Sequence, residues 1–193
     1  MKFDPSTVQT RWASPMGEMC LAASNRGLVG AWFVNQAHLP DHLDGQSAWL
    51  RVAADYDKHP VLRQATEQLT GYFAGQRKTF ELTLDINGGT LFQQSVWRVL
   101  SNIPFGISCS YGDISRQIGN PKAVRAVGAA VGRNPLSLIV PCHRVLGSDG
   151  SLTGYAGGLD RKVALLKLEG VAFQPQPPAR LISQPSLLQA PLL

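Results

Sequence analysis

The sequence predicts an α+β protein, and three observations support that prediction. The chain begins with short segments separated by turn residues, a pattern typical of antiparallel strands. These segments cover residues 7–12, 19–23 and 28–34. Residues 85–90, with the sequence DINGGT, then form a turn-rich break. Beyond the break the apolar residues recur with a helical period.

The break at residues 85–90 divides the chain into two predicted domains. We expect an N-terminal domain over residues 1–86, with a small antiparallel sheet and helices, because a boundary falls where turn residues cluster. A mostly helical domain with a helix-turn-helix and an active-site cysteine is expected over residues 90–172. Residues 173–193 contain five prolines and are predicted to be an extended or disordered tail.

Two helices and one further strand are predicted in the N-terminal domain. The clearer helix covers residues 59–73, because Pro60 suits a first helical turn and Gly75 follows as a terminator. Its apolar stripe consists of Leu62, Ala65, Leu69 and Phe73. A second helix is predicted over residues 46–54 and a strand over residues 80–84.

Composition and cysteine usage are those of a globular protein. The chain has 193 residues, of which 44% are hydrophobic and 16% are charged, so it can fold around a core. Cys20, Cys109 and Cys142 have neither the spacing of a zinc site nor the density of a disulfide scaffold, which predicts a reducing, cytoplasmic location. We expect no signal peptide and no membrane span, because no apolar stretch is long enough.

Positive charge is concentrated in one part of the chain. The net charge is +5, and between residues 98 and 145 Asp113 is the only acid among six basic residues. These are Arg98, Arg116, Lys122, Arg125, Arg133 and Arg144. Such a basic segment is typical of a surface that binds a polyanion, most commonly nucleic acid. The alternative is a solvated basic face without a partner.

The sequence after the break predicts one helix and then a helix-turn-helix. The first helix must end before Pro104, because the residue preceding a proline disfavours the helical conformation. Ser110 and Asp113 have the spacing of a capping box for the second helix. Asn120 can cap the third helix, and Pro121 fits its first position.

The third helix has two different faces. Val124, Val127 and Val131 line the apolar face, whereas Arg125, Gly128, Ala129 and Gly132 lie on the other. A glycine inside a helix costs about 0.5 to 1 kcal/mol relative to alanine, so the small face indicates close approach of something bulky. That partner is either the wall of a DNA groove or another helix.

The heptapeptide IVPCHRV brings a thiol, an imidazole and a guanidinium together after residues 136–140, a predicted buried strand ended by Pro141. A lone cysteine is usually an inert core residue. Here His143 offers a base, and Arg144 favours the thiolate of Cys142. Neighbouring side chains on an extended chain point to opposite sides, so we expect a bridging water rather than a direct bond between the thiol and the ring.

Glu169 ends a predicted helix over residues 160–169, where a carboxylate opposes the helix dipole. Leucines at positions 165 and 166 leave it without a basic partner one turn back, so a partner outside the helix is expected. If that partner is an imidazole, hydrogen bonds would connect Cys142, a water, His143 and Glu169 in this order. The alternative is an ordinary exposed glutamate. The glycine-rich loop before this helix, residues 147–158, could close over a ligand or form a plain hairpin.

The motif PCHRV at 141–145 follows the helix-turn-helix and precedes GYAGG at 154–158. In this arrangement the chain resembles the O6-alkylguanine-DNA alkyltransferases, also called methylated-DNA–protein-cysteine methyltransferases. The resemblance covers residues 90–170 by motif and the N-terminal half in general layout. It implies DNA repair in which an alkyl group, chiefly methyl, moves from O6 of a flipped guanine in duplex DNA to a cysteine that is consumed.

The resemblance also implies roles for individual residues. The residues implied to act in catalysis are Cys142 as acceptor thiol, His143 as its water-mediated base, Glu169 behind the base, Asn134 and Tyr111. Those implied to contact the minor groove of DNA are Arg125, which enters the base stack, and Tyr111, Pro121, Val124, Ala126, Gly128, Ala129 and Arg133. Those implied to form the substrate pocket are Tyr155, Ala156, Val145 and Gly157.

This chain departs from the family pattern in three places. Cys20 stands apart from His38, His42 and His59, so no metal site is expected, and the reaction needs no cofactor. Ala156 stands where some members have serine. The proline-rich tail extends past the usual end of the family.

Two other functions stay open at this point. A non-catalytic DNA-binding module could use the same helix-turn-helix, although it would not need a nucleophile. A cysteine hydrolase would use the thiol and the histidine but leaves Arg125 unexplained. We expect a monomer without a membrane partner, and cooperative binding to DNA stays open.

Overall fold

The computed structural model describes residues 3–40, 51–52 and 59–174. Its N-terminal strands are β1 (Val8–Ser14), β2 (Gly17–Ser24), β3 (Gly27–Phe33) and β4 (Arg51–Val52). They form one sheet in the order β3-β2-β1-β4, in which β2 is antiparallel to β1 and β3, and β4 is parallel to β1. The three strands predicted between residues 7 and 34 are confirmed.

Two predictions fall largely outside the described residues. In the predicted helix 46–54 only residues 51–52 are described, and there the prediction is wrong, because these residues form β4. The free edge of β1 offers the backbone hydrogen bonds that draw this short segment into the sheet. Of the predicted tail, only Phe173 and Gln174 are described, and Gln174 forms a single bridge with Ser151.

Helix α1 (Pro60–Phe73) packs against the sheet. Pro60 lies in its first turn, as predicted, and Leu62, Ala65 and Leu69 of the apolar stripe are fully buried. The helix ends at Phe73, and Gly75 follows with a φ of 71°, a left-handed conformation that glycine adopts without strain.

Residues 80–84 do not form the predicted strand. A single bridge joins Leu84 to Leu28, and Leu28 N donates to Thr83 O at 2.8 Å. A Cβ on Gly27 would lie 2.4 Å from Thr83 O, so this close approach requires a glycine. Gln68 of α1 bonds both backbone groups of Glu81, so side chains of a helix take the place of a second strand there. Alternating apolar residues could not reveal this.

The C-terminal half is mostly helical. It contains α2 (Leu91–Ser101), α3 (Tyr111–Gln117), α4 (Val124–Gly132) and α5 (Leu159–Leu168). Two short parallel strands, β5 (Cys109–Ser110) and β6 (Val145–Leu146), lie between them. The predicted capping box of Ser110 and Asp113 is confirmed, and a second one joins Thr90 to Gln93 at the start of α2.

Helix α4 begins three residues later than predicted. Its N-cap is Ala123 rather than Asn120, and Pro121 lies in the preceding turn. Ala123 N donates to Asn120 O at 3.0 Å, and Val127 N then donates to Ala123 O at 2.8 Å. The fixed φ of proline suits the second position of a turn as well as the first position of a helix, so Pro121 alone did not decide between them.

Residues 136–140 form a buried turn instead of the predicted strand. Leu136 makes one bridge with Ala31, and Ser137 N donates to Ala31 O at 2.8 Å. Leu138 then has a φ of 74°, and Val140 N donates back to Leu136 O at 2.8 Å. The apolar character of residues 136–140 suits their burial. A short apolar stretch does not by itself specify an extended backbone.

Both halves of the chain share one hydrophobic core. It extends from Phe33 in β3 and Leu69 in α1 to Trp97 in α2, Val127 in α4 and Cys142. The α+β class is confirmed, and the division into domains stays a prediction. Of the helices in the described residues, none combines the length and the apolar character needed to cross a membrane.

Candidate active site

Cys142 begins a single 3₁₀ turn, Cys142–Arg144, directly after Pro141. Its side chain is 4% exposed, and its backbone N donates to Val140 O at 2.8 Å. Arg144 N closes the turn onto Pro141 O at 3.0 Å. The chain is therefore not extended at this point, and the predicted extended geometry of the cysteine and histidine is wrong. The buried turn before Pro141 leads the backbone directly into another turn.

Asn134 connects the end of α4 to the turn that leads into Cys142. Its Nδ2 donates to Val140 O at 2.7 Å, and its Oδ1 accepts from Leu136 N at 3.0 Å. Nδ2 also lies 3.1 Å from Cys142 Sγ. An amide N–H that points at sulfur stabilises the thiolate more than the thiol.

His143 and Glu169 form a fully buried pair. His143 Nε2 lies 2.9 Å from Glu169 Oε1, which is the contact that the position of Glu169 predicts. A carboxylate that accepts from Nε2–H leaves Nδ1 as the acceptor nitrogen of the neutral ring. Nδ1 is buried and has no hydrogen-bond partner within the described part of the chain. Burial lowers the pKa of His143 against the opposing effect of Glu169, so the ring is neutral at neutral pH.

Glu169 also accepts hydrogen bonds from two other side chains, those of Arg144 and Tyr72, which the sequence did not predict as its partners. Arg144 Nε lies 2.7 Å from Oε2, and Arg144 Nη2 lies 2.8 Å from Oε1. Tyr72 of α1 donates its O–H to Oε1 at 2.7 Å, so the N-terminal half reaches into the site. Burial acts to raise the pKa of Glu169, but the hydrogen bonds from His143 and Arg144 outweigh it and hold the pKa well below its usual range.

Lys162 of α5 is a fully buried lysine whose charge acts on Cys142. Its Nζ donates to Val145 O at 2.6 Å and to Thr153 O at 3.2 Å. Burial lowers the pKa of Lys162 to about 8. Burial also raises the pKa of Cys142, whereas the hydrogen bond from Asn134 and the charge of Lys162 act to lower it. The thiol is therefore protonated at rest, with two groups in place to stabilise its thiolate.

Cys142 lies at the wall of a cavity of about 370 Å³. Tyr111 at the start of α3 and Gly128 in α4 line one part of it, and Tyr155 and Ala156 of the glycine-rich loop line another. The hydroxyl of Tyr111 lies 2.9 Å from Thr153 Oγ1. From Tyr111 to Ala156, residues that lie 45 positions apart in the sequence thus line the same cavity.

Val145 and Gly157 are not among the residues that line this cavity, so the structure differs from the prediction for both. Val145 is fully buried and belongs to the hydrophobic core that also contains Cys142. Gly157 is also buried, and its carbonyl accepts from Arg161 Nη1 at 2.8 Å. A Cβ there would lie 3.1 Å from a ring atom of Phe33.

Helix α4 presents one side to solvent. The exposed residues from Pro121 to Arg133 are Pro121, Lys122, Val124, Arg125, Ala126, Ala129 and Arg133. A Cβ on Gly128 would meet Tyr111 at 3.8 Å, and a Cβ on Gly132 would meet nothing within 4 Å. Of the described residues outside α4, only Tyr111 at the start of α3 comes within 4 Å of a Cβ at these two glycines, so the structure does not support the alternative of a tightly packed helix.

Possible metal ligands are scattered in the described residues. These contain no group of three or more His, Cys, Asp or Glu side chains placed to hold a metal ion. Cys20 Sγ lies 3.2 Å from Gln9 Oε1 in the sheet, and Cys109 is half-buried. His42 lies outside the described residues.

Two family models cover most of the chain. The ribonuclease-like domain of 6-O-methylguanine DNA methyltransferase matches residues 8–86, and the DNA binding domain of the same proteins matches residues 91–171. The chain belongs to this family. The affiliation predicted from the PCHRV motif and its surroundings is confirmed.

Individual members of the 6-O-methylguanine DNA methyltransferase family match over most of both chains. The methylated-DNA–protein-cysteine methyltransferase of Methanosarcina acetivorans is 46% identical over 157 residues, which cover 81% of this chain and 94% of the relative. The crystal structure of Mycobacterium tuberculosis O6-methylguanine methyltransferase has 42% identity and a TM-score of 0.72, covering 85% of this chain and 93% of that one. A structure of the Mycobacterium tuberculosis protein in complex with DNA has the same identity and TM-score, covering 84% and 92%.

Sequence reasoning missed Tyr72, Lys162 and the pairing of Arg144 with Glu169. Lys162 precedes the buried Leu165 and Leu166 by about one turn, so helical periodicity places it on the inward face of α5. Tyr72 likewise follows Leu69 on the buried side of α1. Its partner could not be found in this way, because 97 residues separate it from Glu169.

Proposed function

We propose that this family member repairs duplex DNA by transferring an alkyl group, chiefly methyl, from O6 of guanine to Cys142. The observation that carries the proposal is a nearly buried thiol at a cavity wall, with the His143–Glu169 pair directly next to it in the fold. Relatives at 46% and 45% identity are named methylated-DNA–protein-cysteine methyltransferases. The proposed activity is that of a methylated-DNA–protein-cysteine S-methyltransferase that acts once.

The thiol proton leaves first in the proposed reaction. An ordinary thiol with a pKa of about 8.5 needs about 2 kcal/mol to ionise at neutral pH, and burial adds to this cost. His143 accepts the proton at Nδ1 through a water, and Glu169 stabilises the imidazolium that results. The Asn134 amide and the Lys162 charge stabilise the thiolate.

The thiolate sulfur then attacks the alkyl carbon in line with its bond to O6. The S–C bond forms as the C–O6 bond breaks, and the electron pair of the broken bond goes to guanine. Burial raises the pKa of Tyr111, so its hydroxyl stays protonated and can donate to the leaving guanine anion. Overall the thiol hydrogen ends on guanine and the alkyl group on sulfur. The proposed reaction contains no step that converts the thioether back to a free thiol. Each molecule therefore reacts only once.

DNA binding is proposed to use α4 in the minor groove. The exposed side of α4 is small and carries Arg125, and the surrounding basic residues supply sequence-independent attraction to phosphates. Because the Cys142 side chain is only 4% exposed, the damaged nucleotide must rotate out of the duplex to reach it. Arg125 enters the base stack and offsets part of the cost of this rotation.

The remaining parts of the proposal concern the cellular location of the protein, its oligomeric state and its need for cofactors. The reaction requires a reduced thiol, and the three cysteines are free, in keeping with the reducing, cytoplasmic location that we propose. The cavity is formed within one chain, so a monomer suffices. No cofactor, metal or membrane enters the proposed reaction.

The decisive experiment uses duplex DNA with a labelled methyl group on O6 of one guanine. We expect the label to move to Cys142 with a 1:1 stoichiometry in wild type and in Cys109→Ser, and not in Cys142→Ser. Label that stays on DNA, or that moves equally well to Cys142→Ser, would overturn the proposal. Tight, reversible binding without a gain in protein mass would instead support a non-catalytic module, and repeated turnover on an ester or peptide would support a hydrolase.

A further inference from the structure

One wall of the cavity beside Cys142 comes from the N-terminal half of the chain. Ala37 and His38, which follow β3, line the cavity together with Tyr111, Tyr155 and Ala156 of the C-terminal half. Neither the motifs nor the helix-turn-helix pointed to this segment. The space around the acceptor sulfur is therefore bounded by both halves of the chain.

The segment 33–38 has a defined conformation. Asn35 and His38 have φ values of 68° and 62°, so the backbone makes two tight turns in six residues. The buried Gln36 side chain anchors it, because its Oε1 accepts from Phe33 N at 2.9 Å and from Ser137 Oγ at 3.1 Å. Ser137 belongs to the buried turn that leads into the acceptor cysteine. The segment is therefore fixed relative to the sulfur.

The wall formed by the glycine-rich loop is fastened to the same segment. Ala37 N donates to Ala156 O at 2.9 Å. Arg161 adds a second connection, with Nη1 donating to Gly157 O and Nε donating to Met16 O, each at 2.8 Å. Its guanidinium also lies 4.5 Å from the centre of the Phe33 ring. The two walls thus form one connected frame around the space that an alkyl group must occupy.

We propose that the segment 33–38 limits the size of the alkyl group that Cys142 accepts. The inference rests on the proposed function and deepens it. During in-line attack the alkyl group lies between the sulfur and the cavity walls, so a large group must fit against walls that are held in place. Ala37 lines the cavity as an exposed residue with the smallest side chain after glycine, so a larger residue at this position narrows the cavity.

The test compares two adducts in Ala37→Leu and in wild type. The single-turnover rate constant at saturating protein is measured on duplexes with O6-methylguanine and with O6-benzylguanine. A pocket change of about one methylene alters selectivity roughly 10- to 200-fold, so we expect the benzyl-to-methyl rate ratio to fall at least about tenfold. Altered DNA contact would affect both adducts equally and cancels in this ratio. Ala74→Leu, the same change at an exposed position after α1, is expected to keep the wild-type ratio.

A second variant keeps the test decisive if Ala37→Leu does not fold. Ala37→Gly cannot overfill the cavity, and we expect it to raise the benzyl-to-methyl ratio roughly threefold, or to gain a benzyl rate if wild type has none. An unchanged ratio in a folded Ala37→Leu, or in Ala37→Gly if the leucine variant is unfolded, would overturn the inference while leaving methyl transfer intact. A wild-type protein that transfers no methyl group would overturn both the proposed function and the inference.

Discussion

The charged groups around Cys142 and those on α4 lie in opposite environments. Around the cysteine, the side chains of His143 and Glu169 are completely buried, and Arg144 and Tyr72 donate further hydrogen bonds to Glu169. On α4, Arg125 and the small residues beside it face solvent. Charge acts strongly where water is excluded and weakly where it screens. Substitutions in the buried network should therefore affect stability and thiol reactivity, and those on α4 mainly the interaction with DNA.

The largest effect is expected from Glu169→Gln. The change leaves the Arg144 guanidinium buried without its carboxylate, which typically costs about 3 to 5 kcal/mol of stability. Urea unfolding at pH 7 measures this, with Glu67→Gln as the control because Glu67 is exposed on α1. A loss of stability below about 1 kcal/mol would contradict a stabilising role for the buried pair of Arg144 and Glu169.

The buried pair of Arg144 and Glu169 also predicts how the stability of the protein depends on pH in the acid range. The pKa of Glu169 is lowered in the folded state, so its contribution is complete above the unfolded pKa of about 4.3 and is lost as the pH falls towards the folded value. The stability difference between wild type and Glu169→Gln should therefore shrink below about pH 4. A stability difference that grows as the pH falls would contradict this mechanism.

Arg125→Ala should reduce methyl transfer from duplex DNA by about 10- to 100-fold, because the cost of a rotated nucleotide is a few kcal/mol and Arg125 offsets part of it. The reaction with free O6-methylguanine base needs no rotation and should keep its wild-type rate. Arg98→Ala removes an exposed arginine outside α4 and should weaken binding without changing the rate at saturation. If Arg125→Ala slowed the reactions with duplex DNA and with free base equally, Arg125 would act on the active site rather than on the rotation of the nucleotide.

Lys162→Met should lower the rate of Cys142 alkylation at pH 7 about tenfold. Removing a nearby positive charge raises the pKa of the thiol, and each unit of pKa reduces the thiolate fraction about tenfold below that pKa. The difference from wild type should close as the pH rises past about 8, where Lys162 itself loses its charge, and a rate profile of the free-base reaction from pH 6 to 10 measures it. Lys167→Met, on the exposed side of α5, is the control. A gap that is independent of pH would indicate a packing effect instead.

The smallest effect is expected from Gly132→Ala. Nothing lies within 4 Å of a Cβ at this position, so the substitution should stabilise the free protein by about 0.5 kcal/mol. If the small side of α4 enters a groove, the same methyl group should weaken duplex binding severalfold. Gly71→Ala within α1 is the matched control and should leave binding unchanged. Unchanged binding in Gly132→Ala would place the groove contact elsewhere on the helix.

The sequence by itself determined those features that depend on neighbours along the chain. The three strands, the stripe of α1, the capping box of Ser110 and the PCHRV motif were all readable, because turn chemistry and periodicity are local. The position of Glu169 against its helix dipole even indicated that its partner lay outside α5.

Only the tertiary structure decided the features that depend on burial and distant contacts. An apolar run before Pro141 was compatible with a strand, but packing against β3 made it a turn with Leu138 at a φ of 74°. Tyr72 reaches Glu169 across 97 residues, and Ala37 N donates to Ala156 O although the two residues lie far apart in the sequence. The charge of Lys162 matters to Cys142 only because folding removes water from both. No periodicity along a chain encodes which side chains will share a buried, low-dielectric space.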